Sequence, residues 1–170
     1  MLTKKMESAL NTQINEEFWA AYLYLSMSAH FTAEGLPGFA NWMHVQAQEE
    51  VTHAMKIYSY VLERDGKVTL EPIKAVATSW DSPLAVFEAS LAHEQKVTAM
   101  IDRLVEIAIE EKDHATRSML QWFIDEQVEE EASAKAIIDS LKLIGDNGFG
   151  LYSADKDLAS RTFTDETKEG

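Results

Sequence analysis

Four long amphipathic stretches, each with a polar residue midway along its apolar stripe, constrain this chain more than any other feature. Read at spacings of three and four, the first turns inward Leu10, Ile14, Glu17, Ala21, Tyr24, Met27 and Phe31. The second turns inward Met43, Ala47, Glu50, His53 or Ala54, Ile57 and Val61. The third gives Phe87, Leu91, Glu94, Val97, Ile101 and Leu104, and the fourth Leu120, Phe123, Gln127, Glu130, Ala134, Ile137 and Leu141. The period is helical, not alternating, so the expected fold class is all-α.

Breakers and caps set the boundaries. Gly35-Leu36-Pro37-Gly38, Gly66 and the run from Gly145 to Gly150 punctuate the pattern. Ser82-Pro83 reads as an N-cap followed by proline in the first turn, and Asp113 as a second cap. These signals predict α1 over about 4–34, α2 over 38–65, α3 over 83–111 and α4 over 114–144, with a short α5 near 150–161. Residues 1–163 are expected to form one domain and 164–170 a polar tail.

The connection from about Lys67 to Asp81 is too long for a tight turn. Fifteen extended residues reach at most about 50 Å, and a 28-residue helix is about 42 Å long. The connection can therefore run the length of a helix and start α3 parallel to α2. Val68, Leu70, Ile73, Val76 and Trp80 predict that it packs down, the alternative being a disordered linker. The other connections are short and make antiparallel pairs, giving a four-helix bundle with one long crossover and a short fifth helix.

Glu17, Glu50, Glu94 and the Gln127/Glu130 pair lie near the midpoints of their helices, so aligned helices bring them to one level. Uncompensated carboxylates there would cost several kcal/mol each. One such Glu is ordinarily a snorkelling or misphased side chain, and protonation can neutralise some of them. The same exception on four helices at one height points instead to bound cations. Glu50 and His53 share a helix face, and oxygen-rich ligation with one imidazole suits iron or manganese.

The chain has 29 acidic residues against 15 Lys plus Arg, a net charge of −14. Such a surface repels phosphate backbones, so no nucleic-acid partner is expected. With no cysteine, thiolate metal sites, disulfides and cysteine nucleophiles are excluded. The N-terminal Met1-Leu2-Thr3-Lys4-Lys5-Met6 opens on a charged amphipathic stretch and no long uncharged apolar run follows, which predicts a cytoplasmic chain without membrane partners.

Ala47-Gln48-Glu49-Glu50-Val51-Thr52-His53, His93-Glu94-Gln95 and the run from Trp122 to Glu131 resemble the corresponding segments of prokaryotic non-haem ferritins, members of the ferritin-like di-iron carboxylate family. The likeness extends to Gly150-Leu151-Tyr152. It implies that Glu17, Glu50 and His53 hold a first iron, and that Glu50, Glu94 and Glu130 hold a second, with Gln127 beside it. It implies an outlying third site from Glu49, Glu126 and Glu129, joined by Glu130; on physics alone these three are ordinary solvated glutamates. Tyr24 becomes a redox or hydrogen-bonding neighbour of the site, and a buried core tyrosine is the equal alternative. Bacterioferritins carry a Met after the helix-α2 glutamate and a second Glu-x-x-His; Val51 and Glu130 stand here, so no haem is implied. Rubrerythrins add a cysteine-ligated domain that this chain lacks.

The implied activity is a ferroxidase that oxidises ferrous iron with dioxygen or peroxide and stores the ferric mineral inside a homo-oligomeric shell, 24 subunits in the family. The rivals are a di-iron oxidase or peroxidase that stores nothing, and a structural bundle with protonated glutamates. His30, His44, His93 and His114 have no ligand partner at helical spacing and are expected to be surface or satisfied histidines.

Overall fold

The computed structural model describes residues 1–165 and Thr167, and the expected tail beyond 163 lies partly outside the described residues. Five helices follow one another: α1 Lys4–Ala33, α2 Pro37–Glu63, α3 Pro83–Glu110, α4 His114–Ile144 and α5 Gly148–Leu158. The all-α class, the long connection between α2 and α3, and the short fifth helix are as the periodicity predicts. Each long helix starts or stops within a residue or two of its predicted boundary.

The caps act as their chemistry requires. Ser82 accepts a hydrogen bond from the Ala85 amide at 3.1 Å, and Asp113 accepts one from Thr116 at 3.0 Å. Pro83 occupies the first turn of α3, where its missing N–H leaves no intrahelical bond unmade. Gly35 and Gly145 have positive φ, but so do Asp65 and Lys112. The turn after α2 therefore reverses at Asp65 rather than at Gly66.

The chain divides into two compact units. The first contains residues 11–80 and the described residues from Asp146 onward, which takes in most of α1, all of α2, the long connection and α5. The second contains residues 2–10 with α3 and α4.

In the first unit the long connection runs beside α1, bound by polar straps. Asn11 donates to the Lys67 carbonyl at 2.9 Å and accepts from the Thr69 amide at 2.6 Å. Asn15 repeats this, donating to the Thr69 carbonyl at 2.9 Å and accepting from Glu71 at 2.7 Å. Ser26 then donates to the Ala77 carbonyl at 2.6 Å, and Trp80 meets His30 edge-on at 5.3 Å. Asn11, Asn15, Ser26 and His30 ascend α1 as 67, 69, 77 and 80 ascend the loop, so the two run in the same direction. Leu70 and Ile73, expected to pack down, are instead 61% and 51% exposed. Each Asn side chain pairs with two backbone groups of the connection, so side-chain amides, not apolar burial at these two positions, hold the segment.

At the other end of α2, Leu36 offers no side-chain cap. Asp155 of α5 supplies one: its Oδ1 accepts from the Gly38 amide at 2.7 Å and from Phe39 at 3.1 Å. These N–H groups have no partner within their helix, and a carboxylate there also meets the positive end of the helix dipole. Asp155 is buried in consequence.

In the second unit α3 packs along α4, flanked by an exposed Lys142–Glu88 ion pair of 3.3 Å. The chain start is tied to the end of α3 through Thr3 with Glu111 and Lys5 with Glu110. The buried residues follow the predicted seams with two slips. Leu91 is only half-buried, with Ser90 and His93 buried on either side of it, and on α4 Ile138 is buried where Ile137 was expected. Both shifts are of one or two residues, within the width of an apolar stripe that drifts against a fixed three-four count.

Candidate metal centre

In the first unit, Glu17 of α1 and Glu50 and His53 of α2 converge. Each offers a ligand atom, all lie within 4.8 Å of one another, and all three side chains are buried. His53 Nδ1 stands 3.5 Å from Glu50 Oε2, the approach that i,i+3 spacing on a helix allows. Glu17 and Glu50 each keep one oxygen engaged by an amide from the preceding turn. Gln13 Nε2 donates to Glu17 Oε1 at 2.8 Å, and Gln46 Nε2 donates to Glu50 Oε1 at 3.2 Å. Both glutamines are fully buried. Their only signal in the sequence is a Gln four residues before each of two seam glutamates.

The second unit carries the same device. Glu94 on α3 and Gln127 and Glu130 on α4 are buried. Gln127 Nε2 lies 3.2 Å from both Glu94 Oε2 and the Glu94 carbonyl, and 3.4 Å from Thr98 Oγ1. Thr98 in turn donates to Glu131 Oε1 at 2.6 Å. Three buried carboxylates, Glu17, Glu50 and Glu94, thus each receive an amide N–H.

The electrostatics of Glu17 test whether a cation fits. Its carboxyl is pushed well above the ordinary carboxylate range, first by burial and next by the charge of Glu50; His53 and the Gln13 hydrogen bond oppose this. Its Oε2 is buried and has no hydrogen-bond partner. A buried acceptor left without a donor costs roughly 1–3 kcal/mol. Two carboxylates and an imidazole aimed at one point, with one acceptor unspent, match a hard-to-borderline divalent metal such as iron or manganese.

The remaining predicted residues are placed as follows. Tyr24, two turns along α1 from Glu17, is fully buried. Glu49 is half-buried and paired with Arg161 at 2.5 Å, Glu126 is half-buried, and Glu129 is exposed. His44 is exposed, His93 is buried, and His30 meets Trp80 edge-on.

With the buried carboxylates and their histidine in view, comparison with known proteins defines the class. A family model described as a ferritin-like domain matches residues 7–144. The chain belongs to the ferritin-like family. It is 45% identical to the bacterial non-heme ferritin of Bacteroides fragilis over 161 residues, 95% of this chain and 100% of that one. It is 44% identical to the bacterial non-heme ferritin of Staphylococcus epidermidis over 166 residues, 98% of this chain and all of the relative. Among solved structures, the open-pore ferritin of the hyperthermophilic archaeon Archaeoglobus fulgidus matches with a TM-score of 0.95 and 51% identity, covering 95% of this chain and 100% of its own. An engineered closed form of that ferritin gives a TM-score of 0.95 at 52% identity, covering 96% and 100%.

Proposed function

We propose that this chain is a ferroxidase subunit of an iron-storage shell, taking ferrous iron as substrate and dioxygen or peroxide as oxidant. The observation that carries this is the buried Glu17–Glu50–His53 trio with the unpartnered Glu17 oxygen. That trio supplies the first iron's ligands. Glu50, Glu94 and Glu130 supply the second's, with the Gln127 amide beside them, and Tyr24 is their redox or hydrogen-bonding neighbour. Glu49, Glu126 and Glu129, joined by Glu130, form the outlying third site, where Arg161 competes for Glu49. Residues 1–163 act as one di-iron domain.

Each ferrous ion gives one electron to the oxidant; the chain's residues prepare for that transfer. Without metal, the raised Glu17 carboxyl favours its proton, which lowers the cost of crowding two carboxylates. Metal binding displaces the proton, so Glu17 releases it as iron enters. Gln13 and Gln46 each hold one oxygen of their glutamate, so that ligand orientation is set before metal arrives. The carboxylates then favour the more highly charged ferric product over the ferrous substrate. Deposition of the mineral needs an enclosed volume, so the chain works as a homo-oligomer, of 24 copies in this reading. No helix among the described residues is long and apolar enough to cross a membrane. The cytoplasm is the proposed location.

Anaerobic ferrous titration followed by admission of air tests the oxidation. The wild-type chain develops ferric absorbance, and Glu50→Ala combined with His53→Ala suppresses its rate by roughly a hundredfold or more, the upper range for disturbed metal sites. An unchanged rate in the double variant would falsify the assignment. Size-exclusion mass separates storage from the oxidase-only alternative, because a 19.1 kDa species encloses nothing.

A further inference from the structure

Arg161 lies just beyond α5, and its side chain returns to α2. Its carbonyl accepts a 2.9 Å hydrogen bond from Asn41 Nδ2. The guanidinium sits 4.2 Å from the centroid of the Trp42 ring, within cation–π range. Its Nη1 donates to the Trp42 carbonyl at 3.3 Å and to Gln46 Oε1 at 3.0 Å, and its Nη2 meets Glu49 Oε2 at 2.5 Å. Trp42, Gln46 and Glu49 recur at spacings of four and three, and the same stripe of α2 continues to His53.

A guanidinium has only donors to offer. Gln46 must therefore present its amide oxygen to Arg161, and its NH2 then faces Glu50, where Nε2 donates to Oε1 at 3.2 Å. Turned over, the amide would set N–H against N–H at Arg161 and a carbonyl against the Glu50 carboxylate. Gln46 is completely buried, so no water can make good that mismatch. Arg161 thereby decides which end of the amide meets Glu50 and leaves Oε2 as the oxygen on the His53 side.

We propose that Arg161 is a positioning residue for the metal site, acting through the Gln46 amide to fix the Glu50 carboxylate. This rests on the di-iron reading above. The sign of its effect separates positioning from simple charge. A cation near a metal site opposes metal binding by Coulomb repulsion, so as a charge alone its removal would tighten binding. As a positioning group, its removal loosens binding. Lysine keeps the charge but lacks the planar fork that serves Gln46 and Glu49 together, so it restores only part of the function.

The test is a double-mutant cycle on the full chain, with anaerobic cobalt(II) titration followed by visible absorption and ferrous oxidation rates measured in parallel. Arg161→Gln is expected to weaken cobalt binding by roughly tenfold, the usual scale for groups that orient a ligand, and to alter the shape of the cobalt bands. Arg161→Lys falls between it and wild type. In a Gln46→Leu background the Arg161 substitution has no further effect, because the path through the amide is already cut. Tighter or unchanged binding in Arg161→Gln, or the same loss with and without Gln46, overturns the proposal. Should Arg161→Gln not fold, Arg161→Lys completes the same cycle with the same criteria. A wild-type chain that neither binds cobalt nor oxidises iron removes the di-iron reading itself, whereas an active wild type with indifferent variants removes only the role of Arg161.

Discussion

Gln13 donates a 2.8 Å hydrogen bond to Oε1 of Glu17, one turn further along α1, and the other oxygen of that carboxylate is buried without a partner. One oxygen is oriented and the other is unspent, and two predictions follow from this asymmetry.

The first concerns pH. Burial and the charge of Glu50 raise the Glu17 carboxyl well above the ordinary carboxylate range. Between the unfolded and folded values the metal-free native chain holds a proton that the unfolded chain has released. The stability that this proton contributes is thus fully present below the ordinary carboxylate range and is lost as pH rises through the higher folded value. Glu17→Gln keeps a neutral side chain at every pH and removes this loss. In urea unfolding of metal-free protein at pH 5 to 8, wild type should lose stability relative to Glu17→Gln as pH rises. A constant gap between the two curves would show that Glu17 does not titrate abnormally.

The second concerns Gln13 itself. Its hydrogen bond lowers the Glu17 carboxyl, opposing burial. Gln13→Leu withdraws that help, so metal must displace a more firmly held proton. Cobalt or ferrous affinity should fall by roughly tenfold near neutral pH. The deficit should shrink as pH rises and the proton becomes easier to remove. A deficit independent of pH would mean that Gln13 acts on geometry alone.

What could be read from the chain was what is local. Ser82 and Asp113 announce their helices because a cap needs only its own first turn, and Glu17, Glu50, Glu94 and Glu130 stand out because each is a buried carboxylate that contradicts its apolar stripe. Arg161 was invisible because it meets Glu49 from 112 residues away, on no shared periodicity. Asp155 capping α2 across a similar distance was invisible for the same reason. Gln13 and Gln46 were in plain sight, yet a glutamine on a helix is ordinary until its burial is known. Leu70 and Ile73 misled in the opposite sense, because apolar side chains on an extended segment do not by themselves say which face is covered. The polar residues that do hold the segment, Asn11 and Asn15, sit on α1 and carried no sign of their partner.

Those two asparagines support a third prediction. Asn15 makes one hydrogen bond to each of Thr69 and Glu71, partly exposed to water. Asn15→Ala should cost about 1–2 kcal/mol in total. The loss falls on the strap rather than the helices, so local opening of the connection becomes more frequent. Limited proteolysis should cut between 67 and 78 several times faster than in wild type, by roughly the factor those lost bonds imply, while helical circular dichroism is preserved. Unchanged cleavage would assign the strap's anchorage to Ser26 and Trp80 instead.

The junction of α5 with α2 gives the sharpest contrast between two substitutions. A Cβ built on Gly38 would lie 1.6 Å from the backbone oxygen of Asp155, a contact that no side-chain rotation relieves. Gly38→Ala must therefore push α5 away, at a cost of about 1–3 kcal/mol or more. It also separates the Asp155 carboxylate from the Gly38 and Phe39 amides that it caps. Asp155→Asn keeps an acceptor oxygen in place and gives up only the charge at the helix N-terminus, about 0.3–1 kcal/mol. Amide hydrogen exchange at Gly38 and Phe39 reads both effects directly. It should accelerate strongly in Gly38→Ala, where the cap is displaced, and only slightly in Asp155→Asn, where it is weakened. Equal acceleration in the two would mean that the charge of Asp155, not the close approach permitted by glycine, seats α5 on α2.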